Sequence, residues 1–171
     1  EVVAQLGLLA VVLAPVVGGI RHDGPAAAVV EELVDVEGRD DPVVESLHLD
    51  ARHAPGGMVY LETIVQACEE TIRRLGELDP EVVPVVLGGD HSIAMGSVAG
   101  CSRGERTGLI WVDAHGDFNL PETSPSGNIH GMPLAALCGF GDPRLVNLGW
   151  EGAKIRPEDV VVIGARDLDR E

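Results

Sequence analysis

Basic residues are scarce in this chain: 12 Lys and Arg stand against 28 Asp and Glu among 171 residues, a net charge of -16 with the histidines neutral. Such a surplus repels phosphate backbones and anionic lipid headgroups, which excludes nucleic acid and membrane surfaces as expected partners. It is compatible with a cationic substrate, but it reads first as carboxylates that only keep the protein in solution. Cysteine is scarce too. Cys68, Cys101 and Cys138 are odd in number, widely spaced and set among apolar or small neighbours, which argues against a disulfide framework or a zinc ribbon and predicts buried thiols in a reducing, cytoplasmic compartment. A long unbroken hydrophobic run is also lacking. Residues 2 to 20 carry no charge, but Gln5, Gly7, Pro15 and the Gly18-Gly19 pair interrupt them and no basic segment precedes them. This favours a buried strand followed by a Gly-rich turn over a membrane span or a secretory signal. With no internal repeat and no linker, a chain of this size, which buries roughly 70% of its unfolded surface, is expected to form one domain over residues 1–171.

Three short apolar runs end in polar clusters. Val82 to Leu87 leads into Gly88-Gly89-Asp90-His91, Gly108 to Val112 into Asp113, and Val160 to Ile163 into Gly164-Ala165-Arg166-Asp167. Continuous rather than alternating hydrophobicity predicts strands covered on both faces, as in a parallel sheet. Between them lie helical patterns. From about Gly57 to Leu78, Leu61, Ile64, Val65, Cys68, Ile72 and Leu75 recur at three- and four-residue steps, while Glu62, Glu69, Glu70, Arg73 and Arg74 fall mostly elsewhere. Gly24-Pro25 predicts another helix start, continued by Ala26 to Val34. Residues 35 to 57 read as surface loop with one short strand around Val43 to Leu47. Alternating strands and helices imply an α/β sandwich, whose ligands collect at the carboxyl ends of the strands. The polar clusters sit at those ends.

Asp113, His115 and Asp117 stand at i, i+2 and i+4, a spacing that puts side chains on one face of extended backbone. Two hard carboxylate oxygens and an imidazole nitrogen suit manganese, iron or zinc. His91, after the Gly-Gly turn, is placed on the same rim, giving four candidate ligands from two strand ends. Two carboxylates so close repel unless a cation or strong donors compensate. The alternative for Asp113 and Asp117 is helix or turn capping, which leaves His115 and the polar run after it unexplained. Asp90 is expected to orient a ligand or a loop amide, and Trp111 to pack on the sheet.

The segments GGDHS at 88 to 92, DAHGDFN at 113 to 119 and TSPSGNIHGMP at 123 to 133 resemble the metal and substrate signatures of the ureohydrolases, and among them those of arginases rather than agmatinases or formiminoglutamases. The likeness is close over residues 82 to 169 and loose over the first 80. It implies a three-layer α/β sandwich with a central, mostly parallel sheet. It also implies a binuclear manganese centre on His91, Asp113, His115 and Asp117, with His91 and Asp117 on one ion, His115 on the other and Asp113 bridging. The implied reaction is hydrolysis of the L-arginine guanidinium to L-ornithine and urea by a metal-bridging hydroxide. His130, which by itself reads equally well as a helix-start residue, becomes the general acid and proton shuttle.

Asn119, Ser124, Ser126 and Asn128 form a set of neutral donors on one loop, able to bind a carboxylate directly or through water and equally suited to a turn. The resemblance gives Asn119, Ser126 and Asn128 to the substrate carboxylate, Asp169 to its α-ammonium and His115 to the substrate side as well as the metal. Two divalent ions bring four positive charges against two carboxylates. The family's second aspartate pair, in a Ser-Phe-Asp-x-Asp pattern, does not occur in this sequence. The chain is therefore expected to be the N-terminal half or slightly more of the usual length, with an open sheet edge where later strands would pair. Two other outcomes stay open: an inactive, metal-binding or regulatory subunit pairing with an intact homologue, or an enzyme for another guanidino compound such as agmatine. Family resemblance implies a homo-oligomer, trimer or hexamer.

Overall fold

The computed structural model describes residues 10–12, 30–34, 46–47, 58–80 and 82–168. In chain order the elements are β1 (Ala10–Val12), β2 (Val30–Val34), β3 (Ser46–Leu47), α1 (Leu61–Glu77), β4 (Val85–Gly88), α2 (Ile93–Ser102), β5 (Leu109–Val112), α3 (Pro133–Leu137), α4 (Pro143–Val146) and β6 (Val160–Ile163). Single 3-10 turns at Ile129–Gly131 and Pro157–Asp159 precede α3 and β6. The strands form two three-stranded sheets. One is parallel throughout, in the order β1-β5-β6, with Leu109 opposite Ala10 and Val160. The other is antiparallel, in the order β3-β2-β4.

The three apolar runs are all strands, but they do not share one sheet: β4 pairs antiparallel with β2. Nor are all of them covered. Val85 and Leu87 on β4 and Val161, Val162 and Ile163 on β6 are exposed. The helix predicted over Ala26 to Val34 is replaced from Val30 onward by β2; its Gly24-Pro25 start lies outside the described residues. β-Branched Val30 and Val34 favour extended backbone, and the ladder from Val30–Gly88 to Val34–Val85, bulged between Glu31 and Leu33, supplies hydrogen bonds that a local helical pattern cannot anticipate. The apolar N-terminal run contains the expected strand, β1, and the short strand near Leu47 is β3.

Helix α1 behaves as its periodicity requires. Leu61, Ile64, Cys68 and Leu75 are buried, with Val65 and Ile72 packed at the margin of the core. Helix α2 is different, for nearly every residue in it is buried. Its small residues let two backbones approach closely: a Cβ on Gly96 would lie 2.9 Å from both the Cα and the carbonyl oxygen of Cys68, and one on Gly100 would lie 2.7 Å from Leu75. The core between helices and parallel sheet includes Leu109 and Trp111 of β5, Met95 and Val98 of α2, and Leu134 and Leu137 of α3. Strand β5 thus shares a core with α2, and its carboxyl end meets the turn from which α2 begins, through Asp113 and His91.

The three cysteines are free, Cys68 and Cys138 buried and Cys101 partly so. Burial pushes the Cys68 thiol up to about 12 and those of Cys101 and Cys138 to about 11, so all three stay as thiols near neutral pH. No helix of the described residues is long and apolar enough to cross a membrane.

Candidate metal centre

Strand β4 ends at Gly88, and the turn Gly89-Asp90-His91-Ser92 carries the chain into α2. Asp90 Oδ1 accepts a hydrogen bond from the Ser92 amide at 2.9 Å and another from its hydroxyl. This is the loop-amide role expected of Asp90, and it fixes the turn that aims His91 inward. The Cys68 thiol donates to the Ser92 carbonyl at 3.5 Å, tying the same turn to α1. Strand β5 points Leu109 and Trp111 into the core, and Asp113 continues that alternation one step beyond its end. The Asp113 amide donates to the Ile163 carbonyl at 3.1 Å, extending the β5–β6 pairing to the site. Gly164, at φ 91°, crosses close to Asp113, where a Cβ would stand 3.3 Å from the Asp113 carbonyl oxygen.

Four residues further on the backbone turns. Asp117 has φ 47°, a left-handed conformation that aspartate tolerates better than most residues. Its carbonyl oxygen accepts from the Leu134 and Ala135 amides at 3.0 and 3.4 Å, satisfying the first turn of α3. The capping alternative is met in part by Asp113, whose Oδ1 accepts from the His115 amide two residues on, whereas Asp117 serves α3 only through its backbone carbonyl, which leaves its carboxylate free to face the site. The straight extended face inferred from the i, i+2, i+4 spacing is not how the carboxylates converge: the turn brings Asp117 back beside Asp113, while His115 projects outward, 63% exposed.

His91 Nδ1 lies 2.8 Å from Asp113 Oδ2 and 2.7 Å from Asp117 Oδ2. His91, Asp113 and Asp117 each offer one ligand atom, all within 4.8 Å of one another. His91 and Asp117 are buried. On its other oxygen, Asp113 Oδ1 accepts from the His115 amide at 3.0 Å and meets His115 Nδ1 at 3.2 Å. Burial by itself would raise the Asp113 carboxyl, but hydrogen bonds from the His115 amide and the His91 ring, with His91's charge, outweigh it and hold the group below the usual carboxylate range.

One imidazole nitrogen carries at most one proton, so it cannot make a full hydrogen bond to two carboxylates at once. A buried and a partly buried carboxylate aimed at one nitrogen are an arrangement a cation resolves, and one nitrogen with two hard oxygens is a donor set for a divalent transition metal. The residues therefore fit a metal ion.

The loop after Asp117 turns as its composition suggests. The Asn119 amide donates to the Gly131 carbonyl at 2.9 Å, and Asn119 Oδ1 accepts from the Thr123 hydroxyl at 3.0 Å. Ser124 Oγ accepts from the Gly127 amide and Ser126 Oγ from the Asn128 amide. Each serine still has its own hydroxyl proton to donate. His130 is exposed on the 3-10 turn Ile129–Gly131 and takes no part in the carboxylate cluster. Asp169 lies outside the described residues, but the segment leading to it is anchored here: the Arg166 and Asp167 amides both donate to the Ala114 carbonyl, at 2.9 and 3.0 Å.

Trp111 was placed on the sheet by its apolar setting, and it is there, but it also lies against the cluster. Its ring stacks on His91 with centroids 4.0 Å apart and planes 26° from parallel. The signal available in the sequence was parity: two residues before Asp113 on one strand, Trp111 shares its face.

Parallel strands, covering helices and a His-Asp-Asp cluster at the strand ends define an α/β protein with a donor set that could hold a metal ion. The arginase family model matches residues 21–171, and the chain belongs to that family. An arginase of Bacillus caldovelox is 64% identical over 87 residues, covering 50% of this chain and 29% of the relative. An arginase of Brevibacillus brevis is 43% identical over 153 residues, covering 88% of this chain and 51% of the relative. The crystal structure of the Bacillus caldovelox arginase superposes with a TM-score of 0.65 at 47% identity, covering 75% of this chain and 43% of that one. The chain thus spans about half the length, or less, of the curated relatives it matches. The fold is the arginase α/β architecture.

Proposed function

We propose that residues 1–171 form a single domain that supplies the first metal-binding half of a manganese-dependent arginase-type hydrolase, cleaving L-arginine to L-ornithine and urea. The observation that carries this reading is the convergence of Asp113 and Asp117 on His91 Nδ1. Asp113 uses its two oxygens on opposite sides, Oδ2 toward His91 and Oδ1 toward His115, as a carboxylate shared between two sites requires. Two manganese ions held by His91, Asp113, His115 and Asp117 would supply Lewis acidity, lowering the pKa of water from about 15.7 toward neutrality. His130 serves as the acid for the departing amine, a reading that its exposure to solvent on the turn Ile129–Gly131 supports. Asn119, Ser126 and Asn128 present amide and hydroxyl donors to the substrate carboxylate, and Asp169 pairs with its α-ammonium. The acidic chain favours approach of a cationic guanidino compound. A cytoplasmic homo-oligomer, trimeric or hexameric, is the assembly proposed.

The test is elemental analysis of manganese in the purified, manganese-equilibrated chain, combined with urea release from L-arginine and from agmatine. Bound manganese with a preference for L-arginine is expected. Absence of bound manganese would overturn the metal reading, and equal use of agmatine would overturn the carboxylate role of Asn119, Ser126 and Asn128. Manganese without urea from either compound would overturn hydrolysis by these residues alone and leave the metal reading standing.

A further inference from the structure

A histidine that ligates a metal ordinarily has its second ring nitrogen donated to a carboxylate, a carbonyl or water, and that bond sets the plane of the ring. His91 lacks this device among the described residues. Its Nε2 is buried with no hydrogen-bond partner, as is Trp111 Nε1 beneath it. What faces His91 instead is the indole, 4.0 Å away and nearly parallel. Trp111 is itself 1% exposed and locked in the core between Leu109 and the helices, so it is a rigid surface.

We propose that Trp111 is a positioning residue for metal capture: its aromatic face holds the plane of the His91 imidazole, so that Nδ1 stays directed between Asp113 and Asp117. This rests on the metal reading given above. The work is divided between two contacts. The indole restrains tilting of the ring but cannot distinguish its two flipped orientations, because both present the same flat face. The carboxylates make that distinction, since only one flip brings Nδ1 rather than a carbon to Asp113 Oδ2 and Asp117 Oδ2. Strand geometry makes the pairing local: Trp111 and Asp113 share a face of β5 one pleat apart, so a ring stacked on the first reaches the second.

The test is a manganese titration by calorimetry of the full 171-residue chain as wild type, W111F and W111L, with thermal melting of each without metal. W111F keeps an aromatic face and should bind manganese within about 3-fold of wild type, whereas W111L should bind about 10-fold or more weakly, the scale seen when a ligand-orienting contact is lost. A purely structural tryptophan would lower metal-free stability in both variants and leave manganese affinity alone. Wild-type affinity in W111L, or an equal loss in W111F and W111L, overturns the proposal while leaving the metal site standing. Failure of the wild type to bind manganese overturns the site reading and this proposal together. Should W111L not fold, W150F leaves Trp111 as the sole indole. Its emission should then fall saturably with manganese, at the midpoint measured by calorimetry, and unchanged emission overturns the proposal.

Discussion

Replacing Gly96 with alanine adds one methyl group where the backbones of α1 and α2 approach closely. The new Cβ would stand 2.9 Å from the Cys68 Cα and 2.9 Å from its carbonyl oxygen, with the Thr71 Cβ at 3.1 Å. Ordinary carbon contacts lie near 3.5–4.0 Å, so α1 and α2 must separate by roughly 0.5–1 Å, and the groups met are backbone and cannot swing aside. Overpacking of this kind costs about 1–3 kcal/mol. Alanine gives back about 1 kcal/mol of helix propensity. With the clash on backbone, the upper part of the range applies and G96A should be destabilised by about 2 kcal/mol, lowering Tm by about 4–8 °C in a chain of this size. Gly76, in α1, has nothing within 4 Å of its added Cβ. G76A should gain about 0.5–1 kcal/mol from propensity alone. The assay is urea and thermal unfolding followed by helical circular dichroism. A G96A chain as stable as G76A would refute the close-packing argument. Because α2 begins two residues after His91, G96A should also weaken manganese binding, and G76A should not.

Other perturbations follow from the same geometry. Lys154 Nζ donates to the carbonyls of Val146, Trp150 and Gly152 at 2.6, 2.6 and 2.5 Å, and K154M, which leaves these acceptors unmet, should cost about 2–4 kcal/mol in chemical denaturation. The Glu70 carboxyl is held down at about 2 by hydrogen bonds from Arg73 and Arg74. A depressed carboxyl stabilises the fold above its unfolded pKa of 4.5 and loses that effect as pH falls toward 2. The stability gap between wild type and E70Q should therefore be under about 1 kcal/mol at pH 7, given the exposed setting, and should close between pH 4.5 and 2. H130A should retain manganese and lose chiefly turnover, about 100-fold or more, in a urea-release assay. Loss of metal instead would make His130 a ligand.

The parts of the fold legible in the sequence are those whose information is local. Leu61, Ile64, Cys68 and Leu75 describe their helix because one side of α1 is buried, and β5 and β6 are apolar runs that end where polar residues must gather. The sheet partner of β4 was not legible. An apolar run says that a strand is buried or wants to be, not which neighbour it pairs with, and β2, which pairs it antiparallel, sits in a stretch whose Gly-Pro start reads as helical. At the site, spacing identified the metal-competent residues but not their geometry. Extended alternation cannot foresee that Asp117 turns at φ 47°, a conformation held by α3 some 16 residues later through Leu134. Trp111 was hidden for the opposite reason: it suits the core so well that its second contact, with His91, leaves no trace in composition.

The two sheets meet at the cluster and nowhere is that more consequential than at His91, which follows β4 of the antiparallel sheet, while Asp113 follows β5 of the parallel one. An ion gripped by both would act as a rivet through two plates. The free energy of holding such an ion would be available only while the plates stay aligned, so occupancy and alignment would be linked. Sliding one sheet against the other would first be resisted at the rivet and be felt, through the turn after His91, by the helix above it.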